Sequence, residues 1–178
     1  DYKTARGKLN YKINRTKFLG FNISGSDGIL NFNRGDVGLN ITLNSDALHT
    51  KAEGKINISN IKNISYNLKG TATNLNIAAF TKDISQLSDL NFDFDINGRG
   101  FDPNTMSGKF NINLNPSVFA GLNIPATPLN AEIDQNGNIR NISLNTAFAD
   151  LKIDGILDIS TLTKVISNNI EKIKSELT

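Results

Sequence analysis

The chain has 178 residues, with 19 Lys or Arg, 17 Asp or Glu, one histidine and no cysteine. That length suits one domain, or one segment of a longer repetitive protein, and is enough to bury a real core. The net charge of +2 comes without basic clustering, which argues against nucleic-acid and polybasic membrane sites. The lack of cysteine excludes a disulfide framework and thiolate metal sites, and leaves cytoplasm and periplasm both open.

Apolar residues recur at every second position through nearly the whole sequence. Leu9, Tyr11 and Ile13 open the series, followed by Phe21 and Ile23, Leu30 and Phe32, and Val37, Leu39, Ile41 and Leu43. Ile56 and Ile58, then Ile64, Tyr66 and Leu68, then Leu75 and Ile77 continue it. The later runs are Leu90-Phe92-Phe94-Ile96, Phe110-Ile112-Leu114, Leu129-Ala131-Ile133, Ile142-Leu144, Leu151-Ile153 and Leu157-Ile159. Successive side chains of a strand point to opposite faces, so each run builds one apolar and one polar face, as antiparallel strands wetted on one side require. Ser26-Asp27-Gly28, Asn33-Arg34-Gly35, Asn97-Gly98 and Asn136-Gly137 supply residues that accept positive φ and read as hairpin turns. About ten to twelve strands are expected.

Two stretches break the alternation. Residues 78–87 read as a short helix or turn. In residues 161–177, Leu162, Val165, Ile166, Ile170, Ile173 and Leu177 fall at spacings of three and four behind a possible N-cap at Ser160, so an amphipathic helix is expected, as a lid over the end of the sheet or a partner-binding element. Residues 40–59 also align without gaps to residues 141–160. Asn40/Asn141, Ile41/Ile142, Leu43/Leu144, Asn44/Asn145, Lys51/Lys152, Gly54/Gly155, Ile58/Ile159 and Ser59/Ser160 are identical, which suggests a repeating β unit.

Residues that could carry chemistry are sparse. His49 stands alone in a polar, loop-like stretch, too little for a zinc site or a Ser-His-Asp triad. Asp93, Asp95, Asn97 and Gly98 match the start of a calcium loop, but Asn104 stands where its bidentate glutamate belongs; the two aspartates read instead as the wet face of a strand whose dry face is Phe92, Phe94 and Ile96. As a glycosidase pair they lack an aromatic cleft, and residues 97–100 lack the lysine and length of a phosphate loop. Asn-x-Ser/Thr triplets at Asn14, Asn22, Asn40, Asn57, Asn63 and Asn141 follow from frequent Asn, Ser and Thr on a solvent face. No enzyme activity, metal or cofactor is expected. The apolar face remains, either closed inside a β-sandwich or open as a groove in one long curved sheet. The Ile/Leu/Phe stripe without tryptophan, and the register shared by the two halves, lean to the open sheet.

Residues 70–160 resemble the C-terminal regions of the AsmA/TamB superfamily of bacterial envelope proteins. The resemblance rests on GTATNLNIAAF (70–80), LNFDFDINGRGFDPNTMSGKFNINLNPSVFAGLNI (90–124) and LNTAFADLKIDGILDIS (144–160). Gly98, Gly100, Asp102, Pro103 and Gly108 fit the family's turn between strands, Asn115 to Ser117 its small-polar strand end, and Thr146, Ala149, Leu151 and Gly155 its later stretch. About half the chain is covered; residues 1–69 match by strand pattern only.

The resemblance implies a taco-like antiparallel groove in a periplasmic protein of a Gram-negative bacterium. It also implies an inner-membrane tether by a segment outside this chain, which opens DYKTARGK without initiator methionine or signal peptide and reads as a mature protein or an excised piece. The interior would conduct phospholipid or other acyl-chain ligands between membranes, or the protein would support outer-membrane assembly with outer-membrane proteins as partners. No catalytic residue is carried over, and no nucleic acid is implied. The expected groove lining is Phe92, Phe94, Ile96, Phe110, Ile112, Leu114, Leu144, Leu151 and Ile153. The expected organisation is one continuous fold with segments 1–69, 70–160 and a C-terminal helix at 161–178, as a fragment of a longer protein. A structural or adhesive secreted sandwich is the alternative. An outer-membrane barrel ranks lower, because it needs aromatic girdles and strands longer than the short runs suggest.

Overall fold

The computed structural model describes residues 4–18, 20–102 and 104–156; the helix expected at 161–178 lies outside them. The strands are β1 (Arg6–Ile13), β2 (Thr16–Phe18), β3 (Phe21–Asn33), β4 (Asp36–Ser45), β5 (His49–Asn57), β6 (Ser65–Leu75) and β7 (Ser88–Arg99). They continue with β8 (Ser107–Leu114), β9 (Ser117–Phe119), β10 (Leu122–Ile124), β11 (Thr127–Asn136), β12 (Ile139–Thr146) and β13 (Asp150–Gly155). All belong to one open, 13-stranded antiparallel sheet whose main path runs β1-β3-β4-β5-β6-β7-β8-β11-β12-β13. Each connection on that path is a hairpin or short excursion, because each strand pairs with the next long one in the chain. The short strands β2, β9 and β10 lie off the path and were not foreseen.

The stretch read as helix or turn is α1 (Ile77–Thr81) followed by a 3₁₀ turn, Ile84–Gln86. Asp83 caps that turn by accepting from the Ser85 N–H at 2.9 Å, and the Ser85 hydrogen bonds hold its carboxyl below the usual range. The helix seats at one end of the sheet. The Asn76 N–H donates to Ala47 O in the β4–β5 tip (2.9 Å), the Ile77 N–H donates to Ser88 Oγ (2.7 Å), and Phe80 meets Phe21 at 4.7 Å between ring centroids.

Asn33-Arg34-Gly35 turns the chain as expected. Arg34 and Gly35 both have positive φ, 52° and 88°, which matches the type I′ geometry that suits strand twist. Gly137 and Asn138 join β11 to β12, with Gly137 at φ 61°. Two expected turns are instead strand interior. Ser26-Asp27-Gly28 lies within β3, where the Ser26 hydroxyl donates to Thr42 O (2.9 Å) and a Cβ on Gly28 would stand 2.9 Å from Ile41 Cγ2. Asn97-Gly98 lies within β7, and there the glycine makes room for the Tyr66 ring rather than bending the chain. The strands are therefore longer than the sequence suggested, up to the 13 residues of β3. His49, expected in a loop, opens β5 and is exposed.

The internal repeat has a structural counterpart. At the β4–β5 tip the Ser45 N–H and hydroxyl both donate to Leu48 O (2.9 Å each), and the Leu48 N–H donates back to Ser45 Oγ (3.1 Å). At the β12–β13 tip the Thr146 N–H and hydroxyl both donate to Ala149 O (2.9 Å each), and the Ala149 N–H donates to Thr146 Oγ1 (2.9 Å). Thr146 aligns with Ser45 in the repeat, so the hydroxyl-capped turn is encoded twice.

A Cβ at residue 98 would stand 2.8 Å from both Ser107 O and the Tyr66 hydroxyl. Gly98→Ala should therefore lower stability by about 1–3 kcal/mol through overpacking, read from the urea midpoint. Gly38→Ala, which meets nothing closer than 3.7 Å, should leave the midpoint unchanged or slightly raised.

Candidate functional site

Residues paired across a ladder share a face, so the register assigns every side chain. One row runs Leu9, Leu30, Leu39, Gly54, Leu68, Ile96, Phe110, Ala131, Leu144, Leu151 across all ten strands of the path. The rows beside it are Tyr11, Gly28, Ile41, Ala52, Gly70, Phe94, Ile112, Leu129, and Phe32, Val37, Ile56, Tyr66, Gly98, Gly108, Ile133, Ile142, Ile153. Phe92 pairs with Leu114 one row further on. The nine residues named from the sequence thus lie on one face. Leu129, Ala131, Ile133 and Ile142 fill the space between them; their alternation was visible, but the pairing that places them was not.

The opposite face carries the polar phase of each strand. Lys69 meets Glu53 at 3.1 Å and Lys109 meets Glu132 at 3.3 Å, both pairs exposed. Asp93 and Asp95 lie here, opposite Thr71 and Lys69 on β6, as the wet face of β7. They border a depression of about 570 Å³ together with Lys51, Glu53, Lys69 and Thr71. Its charges of both signs lie side by side, and no cluster able to hold a metal occurs among the described residues.

The apolar face has no second sheet over it among the described residues. Among the described residues only Ala47, Tyr66, Ala72 and Leu114 are buried apolar residues, and no large side chain is fully buried. Exposure rises toward the sheet edges, from 9 % at Leu114 to 48 % at Leu9 and 45 % at Leu151. In a sandwich the same rows would be the closed core. Among the described residues, neighbours on the same face shield one another. The Phe94 ring lies over Gly70, Phe92 and Phe94 are 6.3 Å apart, and Tyr66 stacks on Phe101 at 5.0 Å. Burial pushes the Tyr66 phenol up.

One charge does occupy the apolar phase. Arg140 pairs with Gln135 and Gly155 in line with Ile142 and Leu144. It is 2 % exposed, and its Nη2 donates to Met106 O at 3.0 Å. Its Nε and Nη1 have no hydrogen-bond partner among the described residues. The sequence signal was present, since Arg140 is two residues from Ile142 and in phase with it. A buried guanidinium with two unpartnered donors thus stands at one end of the apolar face.

These features define a class, a single-layer antiparallel sheet with one continuous apolar face. Comparisons of the chain with protein-family models, curated proteins and solved structures found no match.

Arg140→Met keeps an unbranched apolar stem and removes the unpartnered donors. We expect this variant to be more stable by about 1–3 kcal/mol in urea unfolding of lipid-free protein; a loss of stability would show that the guanidinium is fully paired.

Proposed function

We propose that this chain is a groove segment of an AsmA/TamB-like envelope protein that binds or conducts phospholipid acyl chains. The observation that carries the reading is the unbroken apolar row through ten strands with no second layer over it among the described residues. Nine interstrand gaps of about 4.8 Å make the row roughly 43 Å long. One leaflet of a bilayer contributes about half of a roughly 30 Å hydrocarbon core, so the row exceeds an acyl chain laid across the strands. Three or four rows give a face of about 900 Å², above the few hundred Å² that monomeric proteins leave exposed without a binding role. Acyl chains need a dry surface, the apolar face provides it, and the polar face stays in water.

The role is non-catalytic. The setting is the periplasm of a Gram-negative bacterium, with an inner-membrane tether outside this chain and transfer toward the outer membrane, or support of outer-membrane protein assembly, as the activity.

Native mass spectrometry of protein purified from a Gram-negative host should show co-purified phospholipid. Phe94→Asp or Ile112→Asp puts a charge where tails must lie, costing several kcal/mol if it is left unpaired there. In an open face the new carboxylate reaches water when lipid is absent. These variants should therefore fold, by circular dichroism, and lose the lipid. A folded variant that holds lipid at wild-type stoichiometry overturns the assignment at that position, and failure to fold points to a closed, structural sandwich.

A further inference from the structure

An open sheet has two edges, and here they are β1, continued along β3 by the short β2, and β13; among the described residues these pair only with β3 and β12. Exposed edges invite strand addition unless proline, bulges or inward charges blunt them. Neither edge contains proline, and the registers of both run without a bulge.

Hydrogen-bond phase fixes what each edge offers. In an antiparallel ladder a residue turns both its N–H and its C=O to the same neighbour, and alternate residues turn opposite ways. The Arg34 N–H donates to Ala5 O at 2.9 Å, one pair beyond the β1–β3 ladder. Ala5, Gly7, Leu9 and Tyr11 therefore turn toward β3, and Lys8, Asn10 and Lys12 turn outward. The Thr146 N–H donates to Ala149 O, so Leu151 and Ile153 turn toward β12, and Asp150, Lys152 and Asp154 turn outward. The path holds an even number of strands, so β13 runs opposite to β1. A second copy set beside β13 in the same orientation would present its β1 antiparallel, with its apolar face on the same side.

We propose that copies of this chain associate head to tail, β1 of one copy pairing with β13 of the next. The register that matches the charges sets Lys8 opposite Asp154, Asn10 opposite Lys152 and Lys12 opposite Asp150. These are the outward, hydrogen-bonding residues of both strands, and their side chains lie on the polar face. The same register sets Leu9 opposite Ile153 and Tyr11 opposite Leu151, so the apolar face continues from copy to copy. Fully overlapped pairing of like edges is disfavoured, because β1 on β1 then sets Lys8 against Lys12, and β13 on β13 sets Asp150 against Asp154 and Lys152 against Lys152. The contact is heterologous, so it extends beyond a dimer wherever the rotation between copies does not close. It does not depend on what the apolar face binds.

Sedimentation velocity over a range of protein concentrations, at low salt, tests this. The wild-type chain should associate with rising concentration. K8E/K12E and D150K/D154K should each fold, by circular dichroism, and associate about tenfold more weakly or less. An equimolar mixture of the two should recover association, because each reversed edge then meets its complement. The quadruple variant K8E/K12E/D150K/D154K should associate with itself as the wild type does. A chain that stays monomeric at all concentrations overturns the proposal, as does association untouched by either double variant or unrestored in the mixture.

Discussion

A ladder slipped by one residue turns every side chain of a strand to the other face. Nine successive pairings hold one phase from Leu9 to Leu151, and the apolar face exists only because none of them slips. Two bulges keep that phase near α1. Between Ala72 and Leu75 of β6 the register shifts against β7, with Asn74 at φ 55° and its N–H donating to Asn91 Oδ1 (3.0 Å). The shift lets Leu75 face Leu90 although Leu68, Gly70 and Ala72 set the opposite parity. Between Ile23 and Gly25 of β3 a second shift does the same against β4. Both shifts lie toward the end of the sheet where the β4–β5 tip and α1 meet, so irregular backbone is confined to one rim and the central rows stay regular.

Such a sheet is weakly supported from its polar side. The Lys69–Glu53 and Lys109–Glu132 pairs are solvated and contribute little. Stabilisation must come from backbone pairing and from the half-shielded apolar rows, which lack a facing layer among the described residues. Tyr66 over Gly98 and Phe94 over Gly70 show the sheet covering itself where aromatic rings can lie on glycine. This leaves apolar surface that a ligand would cover, and any such ligand would also stabilise the fold by mass action.

The alternation of Leu90, Phe92, Phe94 and Ile96 with aspartate and asparagine made β7 legible, and the same holds for β8, β11 and β12. The nine face residues were legible for that reason, since side-chain period is a local property. Turn chemistry was less reliable. Glycine marks a hairpin when it is used for positive φ, as at Gly35 and Gly137. At Gly28 and Gly98 glycine serves close approach of a neighbouring side chain, which depends on the partner strand. The strand ends at Ser45 and Thr146 carry the same hydroxyl-capped turn, and the repeat alignment pointed to it. Arg140 was readable from phase alone and went unnoticed because the run containing it starts at Ile142. That one sheet rather than two would form depends on pairing order, which no local pattern contains.

If acyl chains lie on the face of β7 that carries Phe92, Phe94 and Ile96, labels along this strand should report it. The chain has no native cysteine, so single cysteines at positions 92 to 97 can each carry a fluorophore or spin label. Quenching by brominated or doxyl-labelled phospholipid should alternate, strong at 92, 94 and 96 and weak at 93, 95 and 97. Uniform quenching along the strand, or strong quenching at 93 and 95 beside the polar depression, would contradict the account.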